Sequence, residues 1–98
     1  MRLGDLVNHV PGIIAPALDP ETDITGLTAD SRRVAPGMMF AALPGADHDG
    51  RAYIADALGR GAAAILAPEG TIWPRDVPPG LLLTALDARQ ALARMAAV

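Results

Sequence analysis

The chain has 98 residues, is 51% hydrophobic and carries a formal net charge of −3, enough for one compact core and too short for two domains of ordinary size. The net negative charge argues against the basic face that a general nucleic-acid binder needs, and with Phe, Trp and Tyr once each there is no aromatic stacking platform; all eight basic residues are Arg. The absence of cysteine excludes a disulfide, a thiolate nucleophile and a zinc-thiolate site, and no stretch approaches the roughly 20 apolar residues of a membrane span. The expectation is a cytoplasmic protein with no membrane insertion. An arginine bias this complete reads as a composition preference, so arginine content by itself carries no function.

In chain order, Leu3, Leu6, Val7 and Val10 stand at helical spacing, which predicts a short amphipathic helix over 2–9, ended by Pro11 and Gly12. A loop broken by Pro16 and Pro20 runs through Asp23. Ile24, Thr25 and Thr28 favour a strand over 24–30. Ala35, Pro36 and Gly37 make a turn, with proline presetting φ and glycine free to take φ > 0. The continuous apolar run 38–43, MMFAAL, predicts a central strand buried on both faces.

Pro44 and Gly45 end that strand, and the polar loop ADHDG leads to a helix over 51–60, with Tyr53, Ile54, Ala57 and Leu58 on its apolar face and Gly61 as its stop. AAAILA, 62–67, is the next buried strand, in a strand-helix-strand unit that predicts a parallel crossover. Residues 68–80 hold four prolines and predict a loop with room for one short strand. LLLTA, 81–85, is a further strand, and Asp87 caps a last helix whose stripe is Ala91, Leu92 and Met95. That helix runs to Val98 with no capping glycine or polar tail, which suggests a piece of a longer protein.

Chemistry-bearing residues are few. The phosphate-loop pattern G-x-x-x-x-G-K-[ST] is absent, and a chain with no lysine cannot complete one; the dinucleotide fingerprint G-x-G-x-x-G is absent too. His48 sits between Asp47 and Asp49, but three adjacent residues on one loop do not easily converge on one ion, so no metal is expected. Asp30 and Ser31 admit two readings. In one, Asp30 caps a local turn and Ser31 is simply exposed. In the other, both lie just past a strand end, as does the ADHDG loop, where α/β sheets build ligand crevices. A hydroxyl and backbone N–H groups from two such loops suit a neutral heterocycle and a diphosphate. Arg32 and Arg33 add positive charge there, although each taken singly also suits a surface ion pair.

The run ITGLTADSRRVAPGMMFAALPGADHDGRAYIADALGRGAAAILAP, residues 24–68, resembles the amino-terminal domain of the Mur ligases, the MurE type in particular. The resemblance lies in an ordered set: a strand ending in D-S-R, a V-x-P-G turn, a buried F-x-A-L strand, a G-x-x-x-D-G loop, a helix, then G-A-x-A-I-L. It implies an α/β fold with a small mixed or parallel sheet flanked by helices. It also implies a parent that uses ATP and Mg²⁺ to activate the D-glutamate carboxylate of UDP-N-acetylmuramoyl-L-alanyl-D-glutamate and adds a diamino acid, meso-diaminopimelate or L-lysine, in peptidoglycan synthesis. On this resemblance the 98 residues hold the uridine diphosphate end of that substrate. The central ATPase domain and the carboxy-terminal domain lie elsewhere, so this part has no cofactor and no catalytic residue of its own.

Carried over position by position, the resemblance places substrate contacts on Ala29, through its main chain, and on Ser31, Ala46, Asp47 and His48. Asp30, Arg32, Gly45, Asp49 and Gly50 are in support. Ala46 and Asp47 stand where one common form of the family pattern has His-Gln, so only main-chain contacts carry over at those two positions. The alternatives are a MurF-type ligase, which shares a similar D-S-R pattern, a non-catalytic nucleotide-sugar binding module, and a docking domain whose polar loops bind nothing.

Overall fold

A strand with no polar residue on either face must be covered on both sides, and residues 38–43 are such a strand. The computed structural model describes residues 1–45, 48–75 and 77–97, and places this run at the middle of a four-stranded sheet. Its strands are β1 (Leu27–Thr28), β2 (Met39–Ala41), β3 (Ala64–Pro68) and β4 (Leu82–Ala85), side by side in sequence order and all parallel. Register pairs Phe40 with Thr28 on one side and with Ile65 on the other, and Leu66 with Leu83. Among the described residues, antiparallel contact occurs only in two isolated bridges, Arg2 with Asp23 and Ile14 with Thr84. Ile14 therefore lays part of the predicted loop along the outer edge of β4.

Because side chains alternate across a strand, the sheet divides its apolar residues between two layers. Met39, Ala41, Ala64, Leu66, Leu83 and Ala85 face helices α1 (Leu3–Asn8) and α3 (Ala88–Ala96), which contribute Leu3, Leu6, Ala88, Ala91 and Met95. Phe40, Ala42, Ile65 and Ala67 face α2 (Ile54–Gly59), with Ile54 and Ala57, and are joined by Val34. The result is a helix-sheet-helix sandwich with alanine as its commonest spacer.

The amino ends of β2 and β3 are locked together. Gly37 has φ 88° and Gly61 φ 94°, conformations that favour glycine, and the Gly37 N–H donates to the Gly61 carbonyl at 3.1 Å. A Cβ on Gly61 would stand 3.0 Å from Pro36, so both the backbone angle and the space exclude a side chain there. At the other end of the sheet the chain opens into loops.

Four expectations are corrected. The first strand is only two residues long. The helix expected over 51–60 begins as a 3-10 turn, Gly50–Tyr53, and only then becomes α-helical. Three residues per turn instead of 3.6 carries Tyr53 off the apolar face, and it is 42% exposed. The described residues between β3 and β4 contain no further strand, since prolines remove the donors a ladder needs. The last helix is capped as expected: the Asp87 carboxylate accepts from the Gln90 N–H at 3.0 Å. Asp87→Ala is expected to lower the free energy of unfolding by about 1 kcal/mol in urea denaturation.

Candidate functional site

Two strand ends carry the same local device. After β1, the Asp30 N–H donates to Thr28 Oγ1 at 3.1 Å, and Asp30 Oδ1 accepts from the Arg32 N–H at 3.0 Å, capping a 3-10 turn over Ser31–Arg33. The Arg32 guanidinium folds back onto the same carboxylate, Nε to Oδ1 at 3.1 Å and Nη2 to Oδ2 at 3.0 Å. After β2, Asp49 caps the Gly50–Tyr53 turn through the Arg51 N–H at 3.0 Å, and Arg51 Nη2 closes on Asp49 Oδ2 at 2.6 Å. D-S-R and D-G-R are thus one arrangement used twice: a carboxylate that caps a turn and is itself clasped by the arginine two residues on.

This clasp sets the local charge. Hydrogen bonds from the Arg32 side chain and backbone hold the Asp30 carboxyl below its ordinary 3.8, and Arg51 does the same for Asp49. Each arginine is raised in turn, first by the hydrogen bond to its carboxylate. Arg33 lies 4.0 Å from Asp30 with its side chain exposed. The sequence left Arg32 between phosphate contact and ion pair; the structure places it in the pair.

The second turn is pressed against the strand before it. The Gly50 N–H donates to the Leu43 carbonyl at 2.8 Å, and a Cβ on Gly50 would meet the Leu43 backbone at 2.8 and 2.9 Å. Only glycine permits this approach. It brings the start of the second turn beside the end of β2 and draws the loop towards the first turn.

Between the two turns lies a cavity of about 450 Å³. Ala29, Asp30, Ser31 and Arg32 line it from one side, and Gly45, His48 and Gly50 from the other. Asp49 stands behind the lining and holds the loop through Arg51. Ala46 and Asp47 lie outside the described residues. Ser31 is only 8% exposed as a residue and lines the cavity, with no hydrogen bond joining its hydroxyl to another described side chain or backbone group.

The floor is apolar, from Phe40, Leu43 and Pro44. Two further lining residues escape a reading of the sequence. Tyr53 arrives because the helix starts as a 3-10 turn, which sets it beside the cavity. Arg89 arrives from the first turn of α3, where Nη2 donates to the Pro44 carbonyl at 3.2 Å, across 45 positions of sequence. No local pattern announces a contact of that separation.

Metal binding finds little support in the donor set. Among the described residues no group of three His, Cys, Asp or Glu is placed to hold an ion, and the Asp49 carboxylate next to His48 is already engaged by Arg51. His9 lies elsewhere, with Nδ1 2.7 Å from the Asp5 carbonyl at the end of α1.

The family model described as "Mur ligase family, catalytic domain" matches residues 23–98. The chain belongs to the Mur ligase family. It is 48% identical over 96 residues to the UDP-N-acetylmuramoyl-L-alanyl-D-glutamate--2,6-diaminopimelate ligase of Caulobacter vibrioides, covering 98% of this chain and 18% of that protein. It is 45% identical over 93 residues to the ligase of the same name from Chelativorans sp., covering 95% of this chain and 18% of the relative. The chain therefore spans about a fifth of the length of these curated relatives. Among solved structures, MurF from Acinetobacter baumannii superposes with a TM-score of 0.71 at 27% identity, over 91% of this chain and 18% of that one. MurF from Thermotoga maritima, in complex with ADP, does so at 0.59 and 28% identity, over 76% and 16%. The small parallel sheet flanked by helices is thus the Mur ligase amino-terminal type that the sequence resembled.

In this Mur ligase chain, Gly50→Ala is expected to cost about 1–3 kcal/mol in urea denaturation, because the added methyl meets backbone rather than a movable side chain. The two clasped carboxylates set an acid limit. Their folded values lie below the ordinary 3.8, so their contribution to stability is complete above that value and is lost as pH falls through the folded values. Carboxyl-detected NMR should show Asp30 and Asp49 titrating below 3.8, and an Asp30→Asn, Asp49→Asn variant should lose less stability than the parent between about pH 4 and 2.

Proposed function

We propose that this chain is the amino-terminal part of a MurE-type ligase, and that its pocket holds the uridine diphosphate end of UDP-N-acetylmuramoyl-L-alanyl-D-glutamate. The parent then joins 2,6-diaminopimelate, or L-lysine, to that substrate at the expense of ATP, in cytoplasmic peptidoglycan synthesis. The observation that carries the reading is the cavity that brings D-S-R and the loop before Asp49-Gly50 to face one another, with Ser31 in its lining.

The chemistry of the lining supports a nucleotide end. An apolar floor with Tyr53 at its side suits a flat heterocycle, and Ser31 Oγ and the backbone at Ala29 and Gly45 suit its carbonyls, the ribose and phosphate oxygens. His48 adds a ring nitrogen to the same side. Asp47 and Ala46 complete the second loop in this proposal, with Asp47 set against uracil N–H or ribose hydroxyls, since its charge repels phosphate. Asp30 and Asp49 order their turns, each neutralised by its own arginine.

ATP is a different matter. The chain has no lysine and no glycine-rich phosphate loop, so its residues do not fit ATP, and no step of the ligation is assigned to them. The nucleotide and Mg²⁺ belong, in this proposal, to a central ATPase domain of the same parent, and this part alone turns nothing over.

A MurF-type parent is the second reading, favoured by the solved structures that superpose. The first reading is supported by identities of 45% and 48% to the Chelativorans and Caulobacter diaminopimelate ligases, against 27% and 28% to the two MurF structures. A stand-alone nucleotide-sugar binding module would share this pocket but not the ligase parent, and a docking domain would ignore the ligand.

The test is an amide NMR titration with UDP-N-acetylmuramoyl-L-alanyl-D-glutamate, with ATP as control. Shifts gathered on residues 29–32 and 45–50, and none from ATP, are the expected result; no response at millimolar ligand would count against the pocket. Ser31→Ala should weaken binding by about 1 kcal/mol or somewhat more, the worth of one hydrogen bond to a charged group, and an unchanged dissociation constant would remove Ser31 from the site.

A further inference from the structure

A chain of net charge −3 repels a dianionic ligand at long range, so a pocket that takes a diphosphate needs a local excess of positive charge. Formal charges on the described lining come from Asp30, Arg32 and Arg89. Asp30 and Arg32 cancel, bound to each other through two side-chain hydrogen bonds. Just behind them Asp49 and Arg51 cancel in the same way. That leaves Arg89, for which no carboxylate among the described residues lies within ion-pair distance.

Its placement is as specific as its charge. Arg89 is the second residue of α3 after the Asp87 cap, and helical side chains lean towards their own amino terminus, here the carboxyl edge of the sheet. One of its five N–H groups is spent on the Pro44 carbonyl at the rim of the cavity, which fixes the guanidinium there and leaves the others for a ligand. A planar fork with spare donors matches the oxygens of a diphosphate better than a point charge does.

We propose that Arg89 is the cation that this pocket presents to the diphosphate of its ligand, and that Arg32 is not. The inference rests on the nucleotide-diphosphate reading of the pocket and assigns within it the residue that reads charge.

The test titrates the chain with UDP and, separately, with uridine, which lacks the phosphates, and compares the wild type with Arg89→Gln, Arg89→Lys and Arg60→Gln. Glutamine still offers an N–H to Pro44 while removing the charge. Arg60 pairs with Asp56 on α2, away from the pocket, so its loss changes the net charge equally without touching the site. The expected result is a loss of about tenfold in UDP affinity for Arg89→Gln, with uridine binding unchanged, partial recovery in Arg89→Lys, and no change in Arg60→Gln. The salt dependence of UDP binding should flatten in Arg89→Gln alone. Equal UDP affinities in Arg89→Gln and Arg60→Gln would overturn the role of Arg89, as would a wild type that binds uridine as well as UDP, and both leave the nucleotide reading standing. A wild type that responds to neither probe would remove that reading and Arg89 with it.

Discussion

Strand β2 is buried on both faces, and this requires that its neighbours supply both of its hydrogen-bonding edges while helices close over both of its sides. Met39 and Ala41 point into one layer and Phe40 and Ala42 into the other, all essentially inaccessible. With β2 fixed at the centre, the loop leaving it emerges at the carboxyl edge next to the loop leaving β1. The cavity is the gap between those two exits. Its floor is built from Phe40 within β2 and from Leu43 and Pro44 just beyond its end, so the core and the site share residues.

Much of this was legible in the sequence because it was local. Runs of apolar residues bounded by Pro and Gly marked β2, β3 and β4, and the Asp87 cap marked the start of α3. The turn at Pro36 and Gly37 was readable from residue type alone, and Gly37 indeed takes a positive φ. The ordered set around D-S-R pointed to the right family, the two loops it marked line one cavity, and Asp30 proved to cap its own turn.

The parts that were not legible have physical reasons. A helical wheel drawn from Arg51 assumes 3.6 residues per turn, and the 3-10 start of that helix rotates Tyr53 out of the buried face and into the cavity. The pairing of Ile14 with Thr84 and the contact of Arg89 with Pro44 join positions far apart along the chain, where composition and periodicity are silent. Charge was the subtlest case. Arg32 and Arg33 looked like the natural cations because they adjoin Ser31, but adjacency to Asp30 is also what occupies Arg32. The repeated D-x-R device shows that a basic residue beside an acidic cap serves the turn before it serves a ligand.

The glycine pair at the amino ends of β2 and β3 has a further meaning. Gly37 and Gly61 fasten two strands at the pole of the molecule farthest from the cavity, through a contact that no ligand-facing residue shares. Strand alignment is thus decided at the end of the sheet opposite the cavity. The loops at the cavity's pole take no part in that contact, so a change of residue or length there leaves the Gly37–Gly61 junction in place. A sheet pinned in this way keeps its register whatever side chains its far loops carry.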